Sequence, residues 1–181
     1  MSTWLFVGPT LAPDGAPADA AFVVRPPIAA GDVYAAVLDG ASRIAIVDGF
    51  WGDRPTVRHK EILWAMAQGV PVLGAASMGA LRAAELAPFG MTGIGEIFER
   101  YAAGDLTRDA DVAIAHAPAA LGWQPLSIAV VDVEARLRRA IAATASTVGE
   151  ARLATWIDAA RAIPLRDRTE AAVVARWRRL D

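Results

Sequence analysis

Ser77 is the residue of this sequence that is best placed to act as a nucleophile. An apolar run beginning at Val70 ends in the small residues Gly74-Ala-Ala, and a helical pattern begins directly after the serine. A strand, a tight turn that carries a serine and a helix form the nucleophile elbow, G-x-S-x-G, with Ala75 here in place of the first glycine. The first amides of the helix would face charge that develops on a reacting group. The alternative is structural, because serine is also a favoured helix N-cap.

A serine nucleophile requires a general base, and the sequence contains two histidines, His59 and His116. His59 shares one face of a predicted helix with apolar residues at i+3, i+4 and i+7, so we expect its side chain to point inward. For both histidines the alternative is a partly buried ring that bonds to a backbone carbonyl. Lys60 is a third candidate base, but it would have to be desolvated to be neutral at pH 7. The residue types leave the choice of base open.

Two further charged residues could assist a reaction at Ser77. Asp48 ends a predicted strand and could orient a histidine, as the third member of a catalytic triad does. Arg82 could hold a carboxylate near the Ser77 turn, or it could pair only with Glu85, three residues further along the same helix. The acidic residues and histidines lack the HxxxH or paired-acid spacing of a metal site, so we expect no metal.

The composition limits the classes of function. The 181 residues are enough for a well-filled core, and with 55% hydrophobic and 21% charged residues the chain is that of a globular protein. A net charge of −2 disfavours non-specific nucleic-acid binding, and the absence of cysteine excludes disulfides, thiolate metal sites and a cysteine nucleophile. Gly74 and Gly79 have P-loop spacing, but Ala80 and Leu81 stand where the P-loop lysine and hydroxyl residue belong. No apolar stretch reaches transmembrane length. We expect a cytoplasmic protein without a cofactor that binds neither nucleic acid nor membranes.

Short apolar runs alternate with helical patterns along the chain, which indicates an α/β fold with a mostly parallel sheet and flanking helices. The predicted strands are Thr3–Val7, Ala21–Val24, Arg43–Val47, Val70–Leu73 and Val112–Ala115. The predicted helices are Asp32–Leu38, Pro55–Gln68, Met78–Ala87 and Ile94–Ala103, and the chain is mostly helical from about Ile128 onward. We expect an α/β core over residues 1–135 and a helical, arginine-rich C-terminal segment over residues 136–181 that packs on this core.

Sites in an open parallel sheet form at the carboxyl ends of the strands. Asp48 and Ser77 each follow a predicted strand, and Gly8-Pro-Thr10 follows the first one. His59 lies in the first or second turn of the helix after Asp48, and His116 ends the last predicted strand. If these strands are parallel neighbours, all of these residues meet at one edge of the sheet.

Six segments of the sequence together resemble the core domain of the TfuA-like family, over roughly residues 3–135. The segment around Ser77 is the most specific of them. The segments are Gly8-Pro-Thr10, Pro27-Ile-Ala-Ala-Gly31-Asp-Val-Tyr34, Ile46-Val-Asp48-Gly49-Phe50, His59-Lys60-Glu61-Ile-Leu63-Trp64-Ala65, Gly74-Ala-Ala-Ser77-Met-Gly79-Ala-Leu-Arg82-Ala-Ala-Glu85 and Pro88-Phe-Gly90-Met91.

This resemblance implies a partner of a YcaO enzyme. YcaO enzymes use ATP to activate a peptide backbone amide, and with a TfuA-like partner sulfur enters to give a thioamide. The substrates in such systems are ribosomally made peptides or methyl-coenzyme M reductase. The sulfur is expected to come from sulfide or from a ubiquitin-like carrier that ends in a thiocarboxylate.

Together with the residues, the resemblance implies a serine hydrolase that releases sulfide from such a carrier. Ser77 would be the nucleophile, His59 or His116 its base, and Asp48 the residue that orients the base. The Met78 amide, with a donor near Thr10, would form the oxyanion hole. Lys60 or Arg82 would be the cation that holds the carrier tail or the hydrosulfide. The alternative is a non-catalytic adaptor that binds YcaO and presents the peptide or the sulfur donor. A homodimer is compatible with the apolar composition.

Overall fold

The computed structural model describes residues 2–11, 15, 19–52, 54–144 and 147–180. These residues belong to two compact units. The first comprises Met1–Thr107 and Ala117–Gln124, and the second comprises Arg108–His116 and Pro125–Asp181. The division expected near residue 135 rests on resemblance to a family and stays a prediction. Within the described part of the chain, none of the helices has both the length and the apolar character that crossing a membrane requires.

A five-stranded, entirely parallel sheet forms the centre of the first unit, and the predicted α/β fold is confirmed. The strand order is β2-β1-β3-β4-β5. In this doubly wound order the direction of strand addition reverses between β1 and β3, and such a switch point opens a crevice at the carboxyl ends of the two strands. The strands are β1 (Thr3–Phe6), β2 (Phe22–Arg25), β3 (Arg43–Ile46), β4 (Val72–Ala75) and β5 (Thr92–Ile94).

Four helices connect or follow these strands: α1 (Asp32–Leu38), α2 (His59–Ala67), α3 (Ala76–Leu86) and α4 (Glu96–Ala103). The strands are short apolar runs that bury side chains between sheet and helices, as expected of a parallel sheet covered by helices. The buried cluster includes Trp4, Phe6, Ile44, Ile46, Ile62, Val72, Met78 and Leu81. Most of its members lie on β1, β3, β4 and α3, so these elements form a rigid support for the loops at the carboxyl edge.

The prediction of a strand over Val112–Ala115 is wrong. These residues have no regular secondary structure and follow a short 3-10 helix, Asp109–Asp111. Side chains bind the backbone groups that a neighbouring strand would otherwise bind: Arg168 Nη2 donates to the carbonyl of Ala113 at 3.2 Å, and the amide of Ala115 donates to Ser127 Oγ at 2.8 Å. The apolar pattern of this segment is therefore that of a buried loop.

The fifth strand is instead β5, which overlaps the start of the helix predicted over Ile94–Ala103. It has only three residues, Thr92-Gly-Ile, and this is too short to show the alternation by which a strand is predicted. Gly93 lies against the ring of Phe98 on α4, where a Cβ atom would come within 2.0 Å of Phe98 Cδ2. The glycine therefore allows α4 to fold back closely on this edge strand.

Helix α2 begins at His59, not at Pro55 as the sequence predicts. The backbone before it is extended and is bonded elsewhere, because the carbonyl of Pro55 accepts from the amide of Ala30 at 2.8 Å. The carboxylate of Glu61 closes the first turn by accepting from the amide of Arg58 at 2.7 Å. Its other oxygen accepts from the amide of Gly31 at 2.8 Å, so the buried Glu61 fixes the start of α2 against the start of α1.

The second unit contains helices α5 (Val130–Ala143), α6 (Glu150–Arg161) and α7 (Glu170–Trp177), and the prediction of a mostly helical C-terminal part is confirmed. A buried arginine, Arg168, connects its segments by donating from Nε to the carbonyl of Ile128 at 2.8 Å. Burial lowers the pKa of Arg168, while the nearby carboxylate of Asp111 opposes this change. Asp111 is itself bound by Arg161 Nη2 at 2.9 Å. Part of the arginine-rich C-terminal segment thus forms the interior of this unit.

Candidate active site

The backbone turns sharply at Ser77, between the carboxyl end of β4 and the helical part of α3. Ala76 has a φ of 54°, in the left-handed region that alanine rarely adopts, and the ψ of −111° at Ser77 is not helical. Each such conformation costs about 1–3 kcal/mol and is found mostly at functional sites. Ser77 is half-buried, and it begins the turn from which α3 leaves the sheet. This is the kind of turn by which an elbow presents a side chain at the edge of a sheet.

The small residues around Ser77 allow α3 to lie directly on the sheet. A Cβ atom on Gly79 would come within 1.8 Å of the carbonyl oxygen of Ile46 on β3. A Cβ atom on Gly74 would come within 2.0 Å of the carbonyl oxygen of Gly79 itself. The amide of Gly79 donates to the carbonyl of Val47 at 3.2 Å. These contacts fix the first turn of α3, and with it Ser77, relative to β3 and β4.

Asp48 follows β3 and is 2% exposed, and its carboxylate binds the loop that follows β1. Oδ2 accepts from the amides of Gly8 at 2.8 Å and Thr10 at 3.1 Å, and Oδ1 accepts from Thr10 Oγ1 at 2.6 Å. Burial raises the pKa of Asp48, and the hydrogen bonds from Thr10 and Gly8 oppose this rise without cancelling it. Asp48 therefore joins the two loops at the switch point of the sheet.

Replacing Thr10 by valine should lower the free energy of unfolding by about 1.5–3 kcal/mol, because a hydrogen bond to a buried charged group is lost without a change in side-chain shape. Urea unfolding followed by circular dichroism would measure this. The matched control is Thr155→Val on α6, where the hydroxyl donates to the carbonyl of Ala151 at 2.9 Å on an exposed surface. Equal effects of the two substitutions would contradict a special role of the Thr10–Asp48 bond.

Replacing Asp48 by asparagine should change how stability depends on pH. Because burial raises the pKa, the contribution of Asp48 to stability is fully present below its unfolded value of 3.8 and is lost as the pH rises through the folded pKa. Asparagine does not titrate, and its amide group can still bind the loop. The free energy of unfolding of Asp48→Asn, relative to wild type, should therefore rise as the pH increases above the unfolded pKa of 3.8. A relative stability that falls over this range in urea unfolding would contradict the raised pKa.

His59 does not point inward, contrary to the helical pattern. It is the first residue of α2, and its side chain is 46% exposed. Its Nε2 lies 2.8 Å from Glu85 Oε2, and Arg82 Nη1 donates to the same oxygen at 2.6 Å. Arg82 Nε also donates to the carbonyl of Val57 at 3.2 Å. The Arg82–Glu85 pair considered above is thus formed, and Glu85, rather than Asp48, is the carboxylate that contacts His59.

The contact between His59 and Glu85 depends on where α2 begins, which the sequence pattern placed one turn too early. Glu85 lies eight residues beyond Ser77 on α3, a distance of about 12 Å along an ideal helix axis. The ring of His59 is therefore bound about two helical turns away from the serine. The spacing of Arg82 and Glu85 was the signal in the sequence that pointed to this cluster.

The other predicted site residues lie in different surroundings. His116 belongs to the second unit, where it is half-buried and forms an isolated antiparallel bridge with Pro125. Lys60 is exposed at the second position of α2. Met78 is completely buried, so its amide is covered by protein in this structure. The amide and hydroxyl of Thr10 both donate to Asp48.

Asp48, the Gly8–Thr10 loop and Ser77 follow three adjacent strands, and the register shows that they lie at one edge of the sheet. Phe6 on β1 pairs with Ile46 on β3, and Ile46 pairs with Gly74 on β4. The prediction that these loops meet is consistent with this register. The structure thus brings Ser77, Asp48 and Thr10 to the carboxyl edge, and it binds His59 and Arg82 along the flank of α3.

A family model for TfuA-like proteins matches residues 48–169, which are 122 of the 181 residues. The chain belongs to the TfuA-like family. The match begins at Asp48 and includes His59, Ser77 and His116. It extends beyond residue 135, where the resemblance of the motifs ends, and so includes much of the second unit.

Members of the TfuA-like family are associated in general with YcaO enzymes and thioamidation. The search of curated proteins finds no match to this chain. Among the residues that the structure describes, no group of three or more His, Asp or Glu side chains is arranged to hold a metal ion.

Proposed function

We propose that this protein is the partner of a YcaO enzyme and acts as a hydrolase that uses Ser77 to release sulfide from a thiocarboxylated ubiquitin-like carrier. The observation that carries this proposal is the strained turn at Ala76 and Ser77, at the carboxyl edge of β4 and beside the switch point of the sheet. A backbone under strain persists where the surrounding structure enforces it, and such positions are concentrated at active sites.

The reaction proceeds in two balanced steps. Ser77 Oγ attacks the carbon of the carrier's C-terminal thiocarboxylate, the C–S bond breaks, and hydrosulfide leaves with the hydroxyl proton. The product is an ester between the carrier and Ser77. Water then attacks this ester, releasing the carrier as a carboxylate with one proton and restoring the serine. The hydrosulfide passes to YcaO, which places it in the activated peptide amide.

The base that removes the proton from Ser77 is His59 or His116, and Lys60 is the further candidate. For His59, the carboxylate that orients the ring is Glu85, at 2.8 Å, because both oxygens of Asp48 are bound to the loop after β1. To remove the proton from Ser77 Oγ, the ring of His59 must leave Glu85 and rotate toward the serine. Asp48 then contributes indirectly, by holding the loop that faces Ser77.

A cation beside the site would hold the thiocarboxylate tail or the departing hydrosulfide. Of the two candidates, Arg82 is only 12% exposed and already binds Glu85 and the carbonyl of Val57. Lys60 is exposed, and no carboxylate among the described residues forms an ion pair with it. We therefore assign to Lys60 the binding of the thiocarboxylate tail. Arg82 has a supporting role, because it holds Glu85 in position.

Sulfide release from a thiocarboxylated carrier, measured without YcaO, tests this function. The wild-type protein should release sulfide with multiple turnovers, and a fluorophosphonate should label it at Ser77, as located by peptide mass spectrometry. The carrier with an ordinary carboxylate terminus is the control and should yield no sulfide. Failure both to release sulfide and to react with the phosphonate would overturn the hydrolase.

A non-catalytic adaptor is the second candidate, and one observation favours it. The ring of His59 is bound to Glu85 and the carboxylate of Asp48 is bound to Thr10, so Asp48 does not orient His59 in this structure. An adaptor would bind YcaO and support thioamidation equally well with serine or alanine at position 77. Reconstituted thioamidation with added free sulfide distinguishes the two roles, because this donor bypasses any hydrolase but still requires the adaptor.

A further inference from the structure

The indole nitrogen of Trp51 is a buried hydrogen-bond donor that no group in the described part of the chain accepts from. Trp51 Nε1 is inaccessible to solvent and has no acceptor among the residues that the structure describes. A buried donor without a partner costs about 1–3 kcal/mol, and native proteins contain few of them. Such a group is expected where a ligand supplies the missing acceptor.

Trp51 lies in the loop that connects β3 to α2, at the carboxyl edge of the sheet. The loop is held in place because the amide of Phe50 donates to the carbonyl of Ile28 at 3.0 Å and Thr56 Oγ1 donates to the carbonyl of Phe50 at 3.1 Å. Two residues before Trp51, a Cβ atom on Gly49 would come within 2.7 Å of Met78 Cγ. The loop therefore lies against the residue that follows Ser77.

The reaction proposed for Ser77 needs donors aimed at the oxygen on which negative charge develops. The nearby candidates are engaged or covered. Thr10 donates twice to Asp48, the amide of Gly79 donates to the carbonyl of Val47, and Met78 is completely buried. Trp51 Nε1 is the donor of this edge for which the described residues offer no acceptor.

We propose that the Trp51 indole donates a hydrogen bond to the acyl oxygen of the substrate held at Ser77, an inference that rests on the hydrolase proposed above. Its role is that of a catalytic residue, because it touches the oxygen that becomes the oxyanion when Ser77 Oγ attacks. The nitrogen is covered in the unliganded protein, so the Trp51 side chain turns toward the acyl group when it binds, while the hydrogen bonds of Phe50 keep the loop backbone in place.

One other buried donor among the described residues lacks a partner, Arg25 Nε. Arg25 ends β2, which lies on the far side of β1 from β3 and β4. Its guanidinium lies over the ring of Trp4, 4.0 Å from the ring centroid. The position on the sheet therefore favours Trp51 over Arg25 as the donor to a group bound at Ser77.

The test combines kinetics with a direct observation of the indole. Trp51→Phe should lower kcat for sulfide release by about 10²–10³-fold with little change in KM, as loss of one oxyanion donor does. The matched control is Trp64→Phe on α2, where the ring lies 4.9 Å from that of Tyr34, and it should leave kcat unchanged. In 15N-labelled wild-type protein, the indole N–H resonance of Trp51, assigned by triple-resonance methods, should move downfield when a fluorophosphonate labels Ser77. The phosphonyl oxygen stands in for the oxyanion.

Each outcome decides between the proposals. A labelled Ser77 with an unchanged Trp51 resonance would overturn the role of the indole and leave the hydrolase intact. Equal losses of kcat in Trp51→Phe and Trp64→Phe would also overturn it, since a general effect of lost packing would explain both. Absence of labelling together with absence of sulfide release would overturn the hydrolase, and the role of Trp51 with it.

Discussion

Sulfide release should fall by about 10³-fold or more when Ser77 is replaced by alanine, because loss of the nucleophile of a covalent mechanism leaves only the contributions of binding and electrostatics. The measurement is the initial rate of sulfide formation from the thiocarboxylated carrier without YcaO. The variant should stay folded, since alanine fits wherever serine does and the neighbouring Ala76 already occupies the strained position of the turn. Thermal unfolding would confirm this.

Ser42→Ala is the matched control for Ser77→Ala. Ser42 precedes β3 at the opposite, amino edge of the sheet, and its hydroxyl donates to the carbonyl of Ser2 at 3.0 Å. Its replacement should leave the rate of sulfide release within about twofold of wild type, because surface substitutions away from a site have small effects. A Ser77→Ala variant that releases sulfide as fast as Ser42→Ala would exclude the serine mechanism.

Replacing Gly79 by alanine should destabilise the first unit by about 3 kcal/mol or more, at the upper end of what overpacking causes. The new methyl group would lie 1.8 Å from the carbonyl oxygen of Ile46, and this oxygen belongs to the backbone of a central strand. Neither α3 nor β3 can move aside without breaking contacts that bury Met78 and Ile46. We expect loss of soluble protein or a strongly lowered unfolding midpoint in urea.

Gly149→Ala provides the comparison for this substitution. Gly149 is the N-cap of α6, with a φ of −68°, and apart from its chain neighbours no atom in the described part of the chain lies within 4 Å of the place where its Cβ would be. Alanine should therefore change the midpoint little. If Gly79→Ala were as stable as Gly149→Ala, the close approach of α3 to β3 would not exist in solution.

Much of the sheet could be predicted from the sequence because four of its strands are apolar runs bounded by turn residues. The turn at Ser77 was equally visible, since small residues between a strand and a helix indicate close packing. Strand β5 could not be predicted, because three residues around a glycine carry no periodic signal. The segment Val112–Ala115 looked like a strand because burial alone produces an apolar run.

The contacts of the candidate site were harder to predict than its location. The sequence grouped Asp48 and Thr10 at one edge, and the structure adds that they bind each other. His59 was assigned to the interior because helical spacing was extended back to Pro55, whereas the helix begins at the histidine itself. Its contact with Glu85 joins residues that lie 26 positions apart on different helices. Such a contact depends on how the two helices pack, so the sequence pattern of either helix alone does not predict it.

The position of Asp48 also bears on how the chain can be divided. The segment shared with the family begins at this residue, whereas the donors to its carboxylate belong to Gly8 and Thr10, forty and thirty-eight positions earlier. A fragment starting at Asp48 would lack β1, β2 and β3 and would leave the carboxylate without these donors. The shared segment therefore depends on the sequence ahead of it for the two amides and the one hydroxyl that bind this carboxylate.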